Sequence, residues 1–148
     1  MIGRVRESRR ADLTDLGLLI LRIAPAVVFA VHGYAKLFGG QFDRTVALFM
    51  TVNLPAPEPM AWFVGILEFA GGLLLGLGLL TRAVAALLAV EMAVAIARVR
   101  LPQGFTGAAE FEFVLMLVCL ALIATGSGKI SMDAAARGTS RLPWTGRA

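Results

Sequence analysis

The sequence predicts an all-α fold: an integral membrane four-helix bundle with both termini in the cytoplasm and a short interfacial helix in the first loop. Three observations carry this. Of 148 residues, 58% are hydrophobic and only 16% charged, whereas a water-soluble domain is about a quarter charged. Four apolar stretches, at 16–31, 60–80, 83–97 and 111–125, fill most of the chain. A bilayer core takes about 20 residues of helix; the second stretch reaches that alone, and the others do so with flanking residues such as 34–38 or 80–98. Finally, the basic residues collect at the ends of the spans. Arg4, Arg6, Arg9, Arg10, Arg82, Lys129, Arg137, Arg141 and Arg147 fall on one side, against Lys36, Arg44, Arg98 and Arg100 on the other, with Arg22 inside. That bias places both termini in the cytoplasm.

The chain divides into a basic tail at 1–15, a transmembrane domain at 16–128 and a polar tail at 129–148. The tail could lead into the first helix through a cap at Asp12, Thr14 or Asp15. Basic residues followed by an apolar run imitate an export signal, but Arg22 interrupts the run and three spans follow, so a retained helix is expected. Pro25 removes an amide donor inside that helix and should bend it. Gly39 and Gly40 end it. In the loop 39–59, Phe42, Val46, Phe49 and Met50 recur at helical spacing, which reads as an amphipathic helix at the outer interface. Pro59 sits near the first turn of helix two.

Small residues predict how the helices meet. Gly72 and Gly76 lie four apart on helix two, and Ala85, Ala89 and Ala93 repeat that spacing on helix three. Almost no loop joins these helices, so their small faces should form the seam of a tight hairpin. Gly126, Ser127 and Gly128 stop helix four, and 129–148 should be only partly ordered.

The charges inside the spans are the candidate functional groups, because each costs at least about 2.5–3.5 kcal/mol near the bilayer centre. At 100° per residue, Arg22, His32 and Lys36 fall within about an 80° arc of helix one. Glu68 and Glu91 lie near the middles of helices two and three, and Glu110 and Glu112 open helix four. A rise of 1.5 Å per residue puts Arg22 about 9 Å deep, Glu91 about 12 Å and Glu68 about 18 Å. Arg22 should therefore pair with Glu68 or Glu91, and His32 and Lys36 should meet Glu110 and Glu112. Such pairs either hold a ligand or fix helix register. Arg82 and Arg98 read as side chains reaching to the interface from helix ends. His32 suits proton relay or a hydrogen bond to a redox ring.

Several chemistries are excluded. One histidine cannot supply two haem ligands, the lone Cys119 makes neither an intramolecular disulfide nor a metal site, and no metal is expected. Gly71 to Gly78 lie within an apolar span and do not form a dinucleotide fingerprint. The net charge of +4 and pI near 10.2 reflect arginines at span ends, so membrane lipid is the expected partner and nucleic acid is not.

An ordered set of motifs over about 15–135 resembles the DoxX family of small bacterial and archaeal membrane proteins. These are Leu21-Arg22 with Pro25; His32-Gly33-Tyr34-Ala35-Lys36-Leu37-Phe38-Gly39; Glu68-Phe69-Ala70-Gly71-Gly72 with Gly76; Thr81-Arg82-Ala83; Glu110; and Gly126-Ser127-Gly128-Lys129-Ile130-Ser131-Met132-Asp133. Ser127 stands where the family commonly has proline, and Glu110 and Glu112 compete for the place of the family glutamate. The resemblance implies a prokaryotic cytoplasmic membrane protein with respiratory or redox associations. The expected function is a quinone-linked oxidoreductase subunit binding a small lipophilic redox molecule within the bundle. Arg22 and Glu68 would form its central pair, His32 and Lys36 would polarise a ring carbonyl, and Glu110 would pass protons to water. Turnover would need another membrane or redox subunit, with a homo-oligomer as a further arrangement. Alternatives are a non-catalytic assembly subunit and a small transporter.

Overall fold

The computed structural model describes residues 2–139, with side chains over 12–138. Every regular element among them is helical: α1 (Ile2–Leu37), α2 (Phe42–Thr51), α3 (Pro57–Leu77), α4 (Thr81–Ala95), α5 (Glu110–Thr125) and α6 (Met132–Thr139). Arg141 and Arg147 lie outside the described residues, as do the side chains of Arg4, Arg6, Arg9 and Arg10. Among the described residues, three segments are long and apolar enough to cross a membrane, Asp12–Leu37, Pro57–Leu77 and Phe105–Thr125. Their outer faces agree with that role. Ile20, Val27, Val31, Ile66, Leu73, Leu117 and Leu120 are all exposed, a distribution that water would penalise and lipid would not.

The expected third span is shorter than the others. α4 itself has 15 residues, and a π-helical turn, Ile96–Arg100, extends it before a short 3₁₀ turn at Leu101–Gln103. Gly104 at φ 103° then breaks the path. The basic lead-in is also not separate from helix one, since α1 runs unbroken from Ile2 through Pro25.

α1 packs along α3, and α4 along α5, with the core (Phe29, Leu75, Ala85, Leu88, Cys119 and Leu122) between the two pairs. Glycine sets the first contact. A methyl group at Gly33 would strike the Phe69 backbone, and one at Gly72 would strike the backbone of α1 at Ala30 and Ala26. Only residues without a side chain allow α1 and α3 to approach so closely. This corrects the expected seam: Gly72 faces α1 instead of α4, and Gly76 has Ala26 of α1 as its neighbour. Ala85 and Ala89 are buried in the core, while Ala93 points outward.

The α3–α4 turn passes through Gly78 at φ 69° and Leu80 at φ 51°, a left-handed path that glycine takes at little cost. Over this turn sits α6, within the segment 129–148 that reads as only partly ordered. Two ends can be told apart. The cavity end holds the α1–α3 connection, the π turn and the start of α5. The tail end holds the α3–α4 turn and α6.

Candidate functional site

At the cavity end the helices diverge around a half-open space of about 850 Å³. Its walls are mostly aliphatic and aromatic, among them Val28, Phe29, Phe49, Leu67, Met92 and Leu115. Its charged groups come from every helix around it: Lys36 and His32 from α1, Glu68 from α3, Glu91 from α4, Arg98 and Arg100 from the π turn, Glu112 from α5 and Arg44 from α2.

Helical period explains which groups reach it. On α1, Phe29, His32 and Lys36 share one face, so the buried Phe29 carries His32 and Lys36 with it. On α5, Glu112 lies on the stripe of Leu115, Cys119 and Leu122, all buried. The π turn widens the backbone by one residue at the point where Arg100 must turn toward α5.

Two ion pairs hold the walls. Lys36 donates to Glu68 Oε2, joining α1 to α3. Arg100 Nε donates to Glu112 Oε1 at 2.6 Å, joining the π turn to α5. Glu91 stands beside Glu68 and within reach of the Lys36 charge. The result is two acids facing one base. The Glu91 carboxyl shares a hydrogen bond with Glu68, while Glu112 Oε2 is buried without a hydrogen-bond partner, which a carboxylate oxygen rarely tolerates. The His32 side chain is exposed at the edge of the cavity, its ring 6.1 Å from the Phe111 ring.

Arg22 is elsewhere. It is 2% exposed, as a buried charge on the inner face of α1 should be, but its partner is not an acid. Its guanidinium donates to the Ser127 carbonyl at 2.5 Å and to the Ile130 carbonyl at 2.8 Å. The expected Arg22 pair with Glu68 or Glu91 does not form, because Lys36 occupies Glu68 and the segment after α5 folds back over Arg22. Asp15 accepts from the Lys129 amide at 3.0 Å and pairs with the Lys129 ammonium at 3.2 Å. Asp133 accepts from the Leu80 and Thr81 amides at 2.9 and 3.1 Å, capping α4 from outside its own segment. Burial pushes the Asp133 carboxyl up, but the Thr81 and Leu80 amides outweigh it and hold the group below its ordinary 3.8.

Of the residues singled out from sequence, His32, Lys36, Glu68, Glu91 and Glu112 come together. Glu110 is exposed and does not line the cavity. Arg82 is exposed at the tail end, donating to the Ala124 carbonyl at 3.3 Å. Sequence reasoning missed Arg100, whose partner lies across a loop, and the Asp15–Asp133 cluster.

The residues that build the cavity from α1 to the π turn fall within the match to the DoxX family model, which covers residues 17–101. The chain belongs to the DoxX family. Relatives agree. "Putative oxidoreductase CatD" of Bacillus subtilis (strain 168) is 36% identical over 119 residues, covering 80% of this chain and 86% of the relative. An uncharacterized membrane protein of Mycobacterium tuberculosis is 30% identical over 135 residues, covering 78% of each. "Inner membrane protein YphA" of Escherichia coli is 36% identical over 70 residues, covering 47% and 49%. No solved structure matches. This DoxX-family chain is thus a membrane protein with a mainly apolar cavity, carrying a few ion-paired groups, at one end. Glu112 and α6 lie beyond the matched segment.

Proposed function

We propose that the cavity binds a small lipophilic redox molecule of the quinone type, and that the protein acts as a quinone-linked subunit of a membrane oxidoreductase. The observation that carries this is the composition of one cleft, open on one side: about 850 Å³ of mainly apolar wall with ion-paired groups placed at a few points. Lipophilic ring ligands are held in this way, the apolar wall supplying affinity and the polar groups fixing orientation. In this reading Lys36, held by Glu68, and His32 at the edge orient ring oxygens. Glu112 takes the role first expected of Glu110, since it faces the cavity. Four spans form the membrane domain, α4 completing its crossing through the π turn at Arg100, with both termini in the cytoplasm. The carrier of electrons is a partner subunit.

The name of the Bacillus relative, an oxidoreductase designation, supports the redox part of this reading. The test is gentle extraction of the purified protein from quinone-containing membranes, followed by mass spectrometry of bound lipids. Near-stoichiometric quinone is expected, falling roughly tenfold when Leu67→Trp fills the cavity wall. Quinone content no higher than in the surrounding lipid would contradict it.

A further inference from the structure

At the tail end an open groove of about 820 Å³ lies over the α3–α4 turn, between α1 near Asp15, the segment after α5 and α6. That size falls within the range of small-molecule clefts, about 300–1,000 Å³. Three bases line it from three different segments: Arg82 from the first turn of α4, Lys129 from the loop after α5 and Arg137 from α6. Two acids share the groove, Asp15 and Asp133, and all four of their oxygens are met from within the protein. Asp133 accepts from the Leu80 and Thr81 amides, and Asp15 meets the amide and the ammonium of Lys129. Three bases against two acids leave one net positive charge.

The donors of these bases are not used up. Among the described residues the exposed Arg82 guanidinium makes one hydrogen bond, a long one of 3.3 Å to the Ala124 carbonyl. Four of its five N–H groups stay open to a guest. Gly126 keeps the space beside it clear, since a Cβ there would lie 3.4 Å from Arg82 Nε. The Lys129 side chain is largely exposed. The first turn of α4 contains no acid of its own, and the positive end of a helix favours an anion. Around the bases the surface turns apolar, with Leu80, Ile130 and Met132 all exposed. A free phosphate would use the bases and leave this rim in water; a lipid uses both. Basic pockets at helix ends on the cytoplasmic side take acidic headgroups in this way.

We propose that this groove seats an anionic phospholipid, its phosphate between Arg82, Lys129 and Arg137 and its chains beside Leu80 and Ile130, as a structural lipid of the tail end. The site is independent of the cavity at the other end; only its assignment to the cytoplasmic leaflet rests on the topology proposed above. Arginine holds a phosphate through two parallel N–H bonds, and each base near an anionic surface adds roughly fivefold in affinity. A zwitterionic lipid carries the same phosphate with an ammonium beside it, which a positive groove disfavours. Because the three bases come from α4, the α5–α6 loop and α6, one phosphate bridges all three segments. Its binding should protect the Leu80 and Thr81 amides that Asp133 caps.

The experiment uses the full chain, delipidated in uncharged detergent. Dioleoyl phosphatidylglycerol, dioleoyl phosphatidylcholine and glycerol 3-phosphate are titrated, with native mass spectrometry counting bound molecules and hydrogen exchange locating them. Phosphatidylglycerol is expected to bind at least about tenfold more tightly than either other probe, and to slow exchange at the Leu80 and Thr81 amides. Arg82→Gln should cut that preference about fivefold, whereas Arg82→Lys, which keeps the charge, should retain most of it. Equal affinity for the two lipids would overturn the inference. So would a preference that Arg82→Gln and Lys129→Gln together leave unchanged, because the lipid would then sit elsewhere. Glycerol 3-phosphate binding as tightly as phosphatidylglycerol would overturn the lipid as occupant and make the groove a site for soluble phosphate. The lipid comparison and the exchange at the two amides use the unaltered protein, so they decide the matter even where a variant fails to fold. None of these outcomes bears on the ring site at the cavity end.

Discussion

The two ends of this molecule use the same kinds of side chain for different purposes. At the tail end most charge is met by backbone: Arg22 meets two carbonyls, Asp133 two amides and Asp15 one, with Lys129 paired to the Asp15 side chain and, among the described residues there, only Arg22 Nε and Thr81 Oγ1 buried without a partner. These bonds tie α1, the α3–α4 turn and α6 together. At the cavity end, side chains from different helices pair across a space, Lys36 with Glu68 and Arg100 with Glu112. A charge satisfied by backbone has its geometry fixed by the fold. A charge held by another side chain around an opening can serve a guest. The first end is built for structure and the second for binding.

Breaking the tail end should have the largest effect on stability. Arg22→Met removes two hydrogen bonds from a charged donor to buried carbonyls, so a loss of about 3 kcal/mol or more is expected, measured as thermal or denaturant unfolding in detergent. Asp133→Ala comes next, at about 1–2 kcal/mol, the usual cost of losing a helix cap. Its pH dependence has a defined sign. The folded-state pKa lies below the ordinary 3.8, so the stabilisation is complete above about pH 4 and drains away as pH falls through the folded value. Hydrogen exchange at the Leu80 and Thr81 amides should accelerate under acid in the unaltered protein, and at all pH values in Asp133→Asn.

The cavity end should behave in the opposite way. Removing one member of the Lys36–Glu68 pair leaves a buried charge alone, but replacing both with apolar residues of similar size is often neutral or stabilising. The double variant Lys36→Met, Glu68→Leu should therefore melt within about 1 kcal/mol of the parent and yet lose its bound ring ligand. At the bottom of the scale, Arg82→Ala removes one long, exposed hydrogen bond, and a change below about 0.5 kcal/mol is expected.

Sequence reading reached further into the spans than into their partners. Burial of Arg22 was legible, since a charge on the face of Phe29 must look inward. Its partner was not, because backbone carbonyls leave no trace in composition, and pairing acids with bases by depth finds only side chains. α6 escaped for a similar reason: it is only eight residues long, and its order comes from Asp133, which bonds backbone amides of the α3–α4 turn. The choice between Glu110 and Glu112 was available in principle. Glu112 continues the stripe of Leu115, Cys119 and Leu122 toward the core, whereas Glu110 is offset from it by about 200°. Gly72 identified a close approach correctly but not the helix making it, because small-residue spacing names a face and not its neighbour.

The most direct measurement compares two variants in one preparation: unfolding free energy and bound ring ligand per protein for Arg22→Met and for Lys36→Met, Glu68→Leu. The expected outcome is that Arg22→Met is destabilised but retains ligand under conditions where it stays folded, while the double variant keeps its stability and comes out empty. Retained ligand in a stable double variant, or intact stability without Arg22, would show that the two ends are not divided between binding and structure.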